Sequence, residues 1–171
     1  EMVRHLLSCD DDRNNTALMM ACQYQPIVVA EIFKYVEDGG GSDSAGTDTL
    51  NMKNNKGNTA LMIACRYQPL AVVEILKHIN ICRECMDTLN MKNNDGWTAL
   101  MIACKYQHEA AIEILKHQKC MDTLNMKNNK GNTALMIAER YRSHTYDEML
   151  KHEKCKDMLI DMNLQNISKN Y

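Results

Sequence analysis

Apolar positions return in the same phase four times along this chain. Each return follows a Thr-Ala-Leu-Met, beginning at Thr16, Thr59, Thr98 and Thr133. In the second copy Ala60, Leu61, Ile63 and Ala64 fall on one side at helical spacing, and Val72, Val73, Ile75 and Leu76 do so again further on. Gln68-Pro69 lies between the two runs, and proline is tolerated in the first turn of a new helix. Each copy therefore predicts a short helix, a tight turn and a second helix. A polar connector with Leu-Asn-Met-Lys-Asn-Asn and a glycine follows. Gly57, Gly96 and Gly131 stand where a hairpin tip needs positive φ, and Asn14, at the matching place in the first copy, tolerates it.

The spacing of the four markers shrinks from 43 to 39 to 35 residues because the connector shortens while the helical core of the unit does not. One such helix pair cannot bury its apolar face alone. Several stacked in register share a continuous core, each touching only its neighbours, so the expected architecture is an all-α solenoid.

At these residues the sequence resembles the ankyrin-repeat family. The family's T-P-L-H-x-A-A is similar to Thr59-Ala60-Leu61-Met62-Ile63-Ala64-Cys65, and its D-x-x-G-x to Asn54-Asn55-Lys56-Gly57-Asn58. The departures from it are Ala for Pro, Met for His and Asn for Asp. The resemblance implies helix-turn-helix units with hairpin-like connectors, over about residues 1–160. It also implies that apolar packing through Met does the work of the family's histidine in tying neighbouring turns together. Repeats are expected at about 10–38, 49–81, 86–118 and 121–152, after a partial repeat at 1–9 and before a C-terminal cap at 153–164. A Gly/Ser-rich loop is expected at 37–48 and a polar tail at 165–171. In the fourth repeat Asp147 replaces the apolar Val73 and Ile112, which suits an outer face that meets water.

Composition narrows the functional classes. The formal net charge of -2 and pI of about 6.3 give no global basic field for nucleic acid. No apolar run reaches the ~18 residues of a membrane span, and the first residues have no signal-peptide layout. Cys22, Cys65 and Cys104 recur at one place inside apolar runs, as small buried hydrophobes do. Reduced thiols and a cytoplasmic location, extending to the nucleus, are expected, so sequons such as Asn14-Asn15-Thr16 carry no glycan.

Function is expected where the copies differ without harming the core, which the resemblance places on the finger tips and the inner face of the first helices. Two ladders run through those positions. One is Tyr67, Tyr106 and Tyr141, with Tyr24 before them. The other is Arg66, Lys105 and Arg140, extended on the fingers by Lys53, Lys92 and Lys127, with Lys56 and Lys130 at the tips. Trp97 replaces asparagine at a tip position in one copy only, so repeat packing does not require it, and tryptophan is enriched at binding hot spots. The expected activity is that of an adaptor, scaffold or inhibitor that holds an acidic or amphipathic protein segment in a concave groove, with no catalysis and no cofactor. Abundant Asn, Lys, Ile and Met suit an AT-rich coding sequence, so a host-directed adaptor of a virus or parasite is one form of that reading.

Two other classes stay open. Trp97 could stack on a base while Lys92, Lys105, Lys127 and Arg140 meet phosphates, against the wrong net charge for a long polyanion. Cys82, Cys85, His78, His117, Cys120, His152 and Cys155 have spacings that zinc ligands use, yet matching positions on neighbouring repeats stand about 10 Å apart. Glu31, Glu74, Glu113 and Glu148, each four positions before Tyr35, His78, His117 and His152, are expected to form solvated helix-face pairs rather than acid–base machinery.

Overall fold

In a computed structural model, the structure describes residues 13–35, 49–81, 83–117, 120–141, 144–151 and 155–156. The partial repeat at 1–9, the acidic Asp10 to Asp12, the loop at 37–48, the tail at 165–171 and most of the cap at 153–164 lie outside them. Four short first helices stand side by side: α1 (Ala17–Tyr24), α3 (Ala60–Tyr67), α5 (Ala99–Tyr106) and α8 (Ala134–Arg140). Behind them run the second helices α2 (Pro26–Tyr35), α4 (Pro69–Ile81), α6 (His108–Leu115) and α9 (His144–Leu150). Each helix packs on its own partner and on its equivalents in the adjacent repeats, so the two layers form a stack. Among the described residues there is no strand.

The Thr-Ala-Leu-Met marker is a helix start. Thr16, Thr59, Thr98 and Thr133 have extended backbones, and each side-chain hydroxyl accepts from the backbone N–H of the methionine three residues on, at 3.3–3.4 Å. This satisfies one of the N–H groups a helix leaves unpaired at its start, and an alanine there typically costs about 1 kcal/mol. Three of the first helices end at a glutamine whose N–H returns to the alanine carbonyl four residues back: Gln25 to Ala21, Gln68 to Ala64 and Gln107 to Ala103. The second helix then begins at once, with Pro26 or Pro69 in the first position, where a missing N–H costs nothing.

Small side chains let the first helices approach closely. Ala60, Ala64, Ala99, Ala103, Ala134 and Ala138 are buried, with Cys22, Cys65 and Cys104 in line among them. Burial pushes the Cys22 thiol up to about 12 and raises Cys65 and Cys104 in the same direction, so these sulfurs stay protonated and inert. The methionines that replace the family's histidine do pack apolarly: Met19, Met62 and Met101 are buried. The second layer closes the core with Val29, Val72, Ile75, Ala111 and Ile114. Asp147 is exposed in α9.

The connectors are more ordered than their polar composition suggests. Residues Arg83–Asn90 form a 3₁₀ helix and Cys120–Thr123 a single helical turn, α7. They bury Leu89 and Leu124 in the core, as Leu50 is buried in the preceding connector. Thr88 Oγ1 donates to Asn51 Oδ1 at 2.7 Å and joins two of them. The glutamates of the second helices also pair with lysines. Glu74 and Glu113 pair with Lys77 and Lys116 one helical turn on, at 2.8 and 2.6 Å, and Glu148 pairs with Lys151. His78 instead turns inward and stacks on Phe33 with ring centroids 4.3 Å apart, while His117 is buried. His152 lies outside the described residues.

After each connector the chain turns back through a finger. Gly57, Gly96 and Gly131 have φ of 73°, 78° and 79°, and Asn14 has 56°. A Cβ on Gly57 would lie 2.7 Å from the backbone nitrogen of Asn94 on the next finger, and one on Gly96 2.8 Å from that of Asn129, whereas Gly131 faces open space. Gly131→Ala should therefore cost only the left-handed backbone term, about 1 kcal/mol. Gly57→Ala and Gly96→Ala add a collision with backbone and should cost about 3 kcal/mol or more. Urea unfolding midpoints of the three variants check this; equal losses would contradict it.

Candidate partner-binding trough

The fingers are held to one another before they hold anything else. Within each, an asparagine side chain folds the turn. Asn54 Oδ1 accepts from the N–H groups of Lys56 and Asn58, Asn93 Oδ1 from Asp95 and Trp97, and Asn128 Oδ1 from Lys130 and Asn132, all at 2.9–3.0 Å. Between fingers, backbone N–H groups of Asn55, Asn94 and Asn129 donate to the carbonyls of Arg13, Lys56 and Asp95 at 3.0–3.1 Å. The amides of Asn94 and Asn129 add bonds to the carbonyls of Asn55 and Asn94 at 3.0 Å. Two of the finger lysines serve the same spine: Lys53 Nζ donates to the Lys92 carbonyl and Lys92 Nζ to that of Lys127, each at 2.8 Å.

With the fingers fixed at one rim and the ends of the first helices at the other, a trough runs along the stack. One cleft in it, of about 250 Å³, is walled by Lys56, Asp95 and Trp97 of the fingers and by Arg66, Lys105 and Tyr106 of the helices, over Ile63 and Ile102. A neighbouring cleft of about 220 Å³ lies between Arg13, Asn55 and Lys56 on one side and Gln23, Arg66 and Tyr67 on the other.

The tyrosine and basic ladders interleave there. The Arg66 guanidinium carbon lies 5.4 Å from the ring centroid of Tyr67 and 4.8 Å from that of Tyr106. Lys105 Nζ lies 4.8 Å from Tyr106, 5.6 Å from Tyr141 and 5.5 Å from Trp97. Each cation is thus held between the rings of successive repeats, an attraction of about 0.5–1 kcal/mol at exposed sites. The neighbouring Tyr106 and Tyr141 hydroxyls raise the pKa of Lys105 further, so it carries its charge throughout the physiological range. The rings remain open to solvent: Tyr67 and Tyr106 are each 41 % exposed, Tyr24 and Tyr141 more so.

Of the residues singled out from the sequence, Tyr67, Tyr106, Tyr141, Arg66, Lys105, Lys56 and Trp97 meet along these clefts and the rings beside them. Arg140 and Lys130 hold the matching exposed positions on the last described repeat. Trp97 is half-buried, with its ring packed on the core. Lys53 and Lys92 belong to the spine, and Lys127 is exposed with its carbonyl in the same chain of bonds. The asparagine amides escaped the sequence reading. Their signal was present, because Asn54, Asn93 and Asn128 recur where the family carries Asp, an equally good acceptor for a turn. Among the described residues no group of three or more His, Cys, Asp or Glu is placed to hold a metal ion, and the side chains of Cys82, Cys85 and Cys120 lie outside those described. Among those same residues no helix is long and apolar enough to cross a membrane.

A family model described as ankyrin repeats in three copies matches residues 1–85 and again 77–166, and the chain belongs to the ankyrin-repeat family. Among curated proteins no relative matches. One similar solved chain comes from the structure of the predatory endopeptidase Bd0816 from Bdellovibrio bacteriovorus in complex with the immunity protein Bd3460. It is 23 % identical, the match covers 86 % of each chain, and the TM-score is 0.42.

The finger spine makes a differential prediction. Asn93→Ala removes both turn bonds and the amide bond from Nδ2 to Asn58 Oδ1 (2.9 Å), whereas the Asn128 amide makes no equivalent bond. At about 1 kcal/mol per bond, Asn93→Ala should cost about 3 kcal/mol and Asn128→Ala about 2. Denaturant unfolding of both variants measures the gap, and an Asn128→Ala loss equal to or larger than that of Asn93→Ala contradicts it.

Proposed function

We propose that this protein works as a rigid adaptor or inhibitor that seats an acidic or amphipathic segment of a partner protein in the trough between fingers and first helices. Ankyrin-type repeats are protein-interaction modules, typically without catalysis of their own. The observation that carries the finer reading is the interleaved ladder of Arg66 and Lys105 with Tyr67, Tyr106 and Tyr141. A chain of net charge -2 puts cations along one open face and holds them there with aromatic rings. On the second helices the exposed lysines Lys77, Lys116 and Lys151 are instead neutralised by their own glutamates.

Such a face attracts negative segments, speeds their encounter and rejects positive ones, while the rings supply desolvated contact area. The carriers are Arg66, Lys105, Arg140, Lys56 and Lys130 for charge and Tyr67, Tyr106, Tyr141 and Trp97 for contact. The biological effect comes from occupying, blocking or recruiting the partner. In a virus or parasite that partner would be a host protein.

Affinity capture with the wild type beside an Arg66→Glu, Lys105→Glu double variant tests this. The variant should lose at least ten-fold in retained partner at equal stability, and wild-type capture should weaken as salt rises from 50 to 500 mM, as expected of exposed charges. Retention of the same partner by both proteins, independent of salt, contradicts the reading.

A further inference from the structure

The amide bonds between fingers follow one rule until they reach Trp97. Asn54 Nδ2 donates to Asn15 Oδ1 at 2.8 Å, and Asn93 Nδ2 donates to Asn58 Oδ1 at 2.9 Å. Asn15 and Asn58 hold the same place in successive fingers, the residue before the helix-capping threonine. In the third finger that place is Trp97, and an indole ring carries a donor but no acceptor. Asn128, whose amide should make the next bond, is only 5 % exposed, and its Nδ2 is buried with no hydrogen-bond partner. A buried amide without an acceptor costs stability. Asparagine at position 97 would remove that cost with geometry this chain already uses twice. A departure from a local rule that the rest of the molecule obeys marks a place held for function.

What the ring supplies is visible in the cleft it lines. The Trp97 ring rests partly on the core, with Lys105 Nζ 5.5 Å from its centroid. The cleft floor is apolar, at Ile63 and Ile102, and its rim carries Lys56, Arg66 and Lys105 against the single carboxylate of Asp95. At about 250 Å³ it has room for one or two side chains. We propose that the third finger gives up the Asn128 amide bond so that Trp97 can form, with Arg66 and Lys105, a socket for a carboxylate side chain flanked by an apolar one in a partner peptide. The carboxylate meets Arg66 and Lys105, a guanidinium donating to the two oxygens of one group side by side. The apolar neighbour lies on the indole face. This inference rests on the trough being the binding face, and names its anchor point.

A library of random 12-residue peptides displayed on phage, panned on the wild-type protein, provides the probe. Enriched peptides should carry Asp or Glu beside an aromatic or aliphatic residue. One such peptide, synthesised with a fluorophore, should bind Trp97→Asn and Trp97→Ala at least ten-fold more weakly than wild type. Both substitutions remove the ring, but only asparagine gives Asn128 an acceptor, so Trp97→Asn should melt about 2–4 °C above Trp97→Ala, the shift that one hydrogen bond makes in a chain of this size. Equal melting of the two variants overturns the account of Asn128. Peptide binding undiminished in Trp97→Asn but lost in Arg66→Glu, Lys105→Glu overturns the socket and leaves the trough standing. Binding that survives all of these substitutions overturns both. Enriched peptides without acidic residues, or no enrichment at all, also contradict the socket.

Discussion

Neighbouring fingers lie close enough that a glycine Cβ would strike the next backbone, and this close register governs the rest of the structure. A helix of eight residues such as Ala60–Tyr67 cannot bury its apolar surface by itself, and neither can its pair. It is covered only when the next repeat arrives at the right height. Backbone bonds from Asn55, Asn94 and Asn129 to the preceding finger set that height, and Gly57 and Gly96 leave room for them. Buried alanines and cysteines between the first helices then match the spacing that the fingers impose. Register and core thus support each other.

The same constraint divides the polar residues into two populations. Asn54, Asn93, Asn94, Lys53 and Lys92 spend their hydrogen bonds on neighbouring fingers and present little to a partner. Arg66 and Lys105 lie against aromatic rings on an open face, where a carboxylate can reach them. Lysines of similar appearance in sequence, Lys92 and Lys105, therefore do different work. Trp97 stands where the two populations meet, because it takes a spine position and faces the trough.

What could be read from the sequence follows from which interactions leave a period. Helix starts at Thr59 and Thr98, proline starts at Pro26 and Pro69, and positive φ at Gly57, Gly96 and Gly131 are local, and most of them recur from repeat to repeat. Bonds between repeats leave no such mark in one copy. The role of the Asn54 and Asn93 amides and the inward turn of His78 onto Phe33 depend on what the adjacent element offers. Helical turns in the connectors were hidden by their polar composition, although Leu89 and Leu124 each mark a buried anchor. Trp97 was legible as an exception among copies. That the exception orphans Asn128 needed the neighbouring finger in place.

Amide hydrogen exchange at Asn55, Asn94 and Asn129 tests the stacked-finger account most directly. These residues are exposed, yet their backbone N–H groups each point at a carbonyl of the preceding repeat. Cross-repeat bonding predicts exchange slowed on the order of 100-fold or more relative to an unstructured peptide. Exchange at the unstructured rate, with the first helices still protected, would show that the fingers do not hold one another and that the trough has no fixed wall.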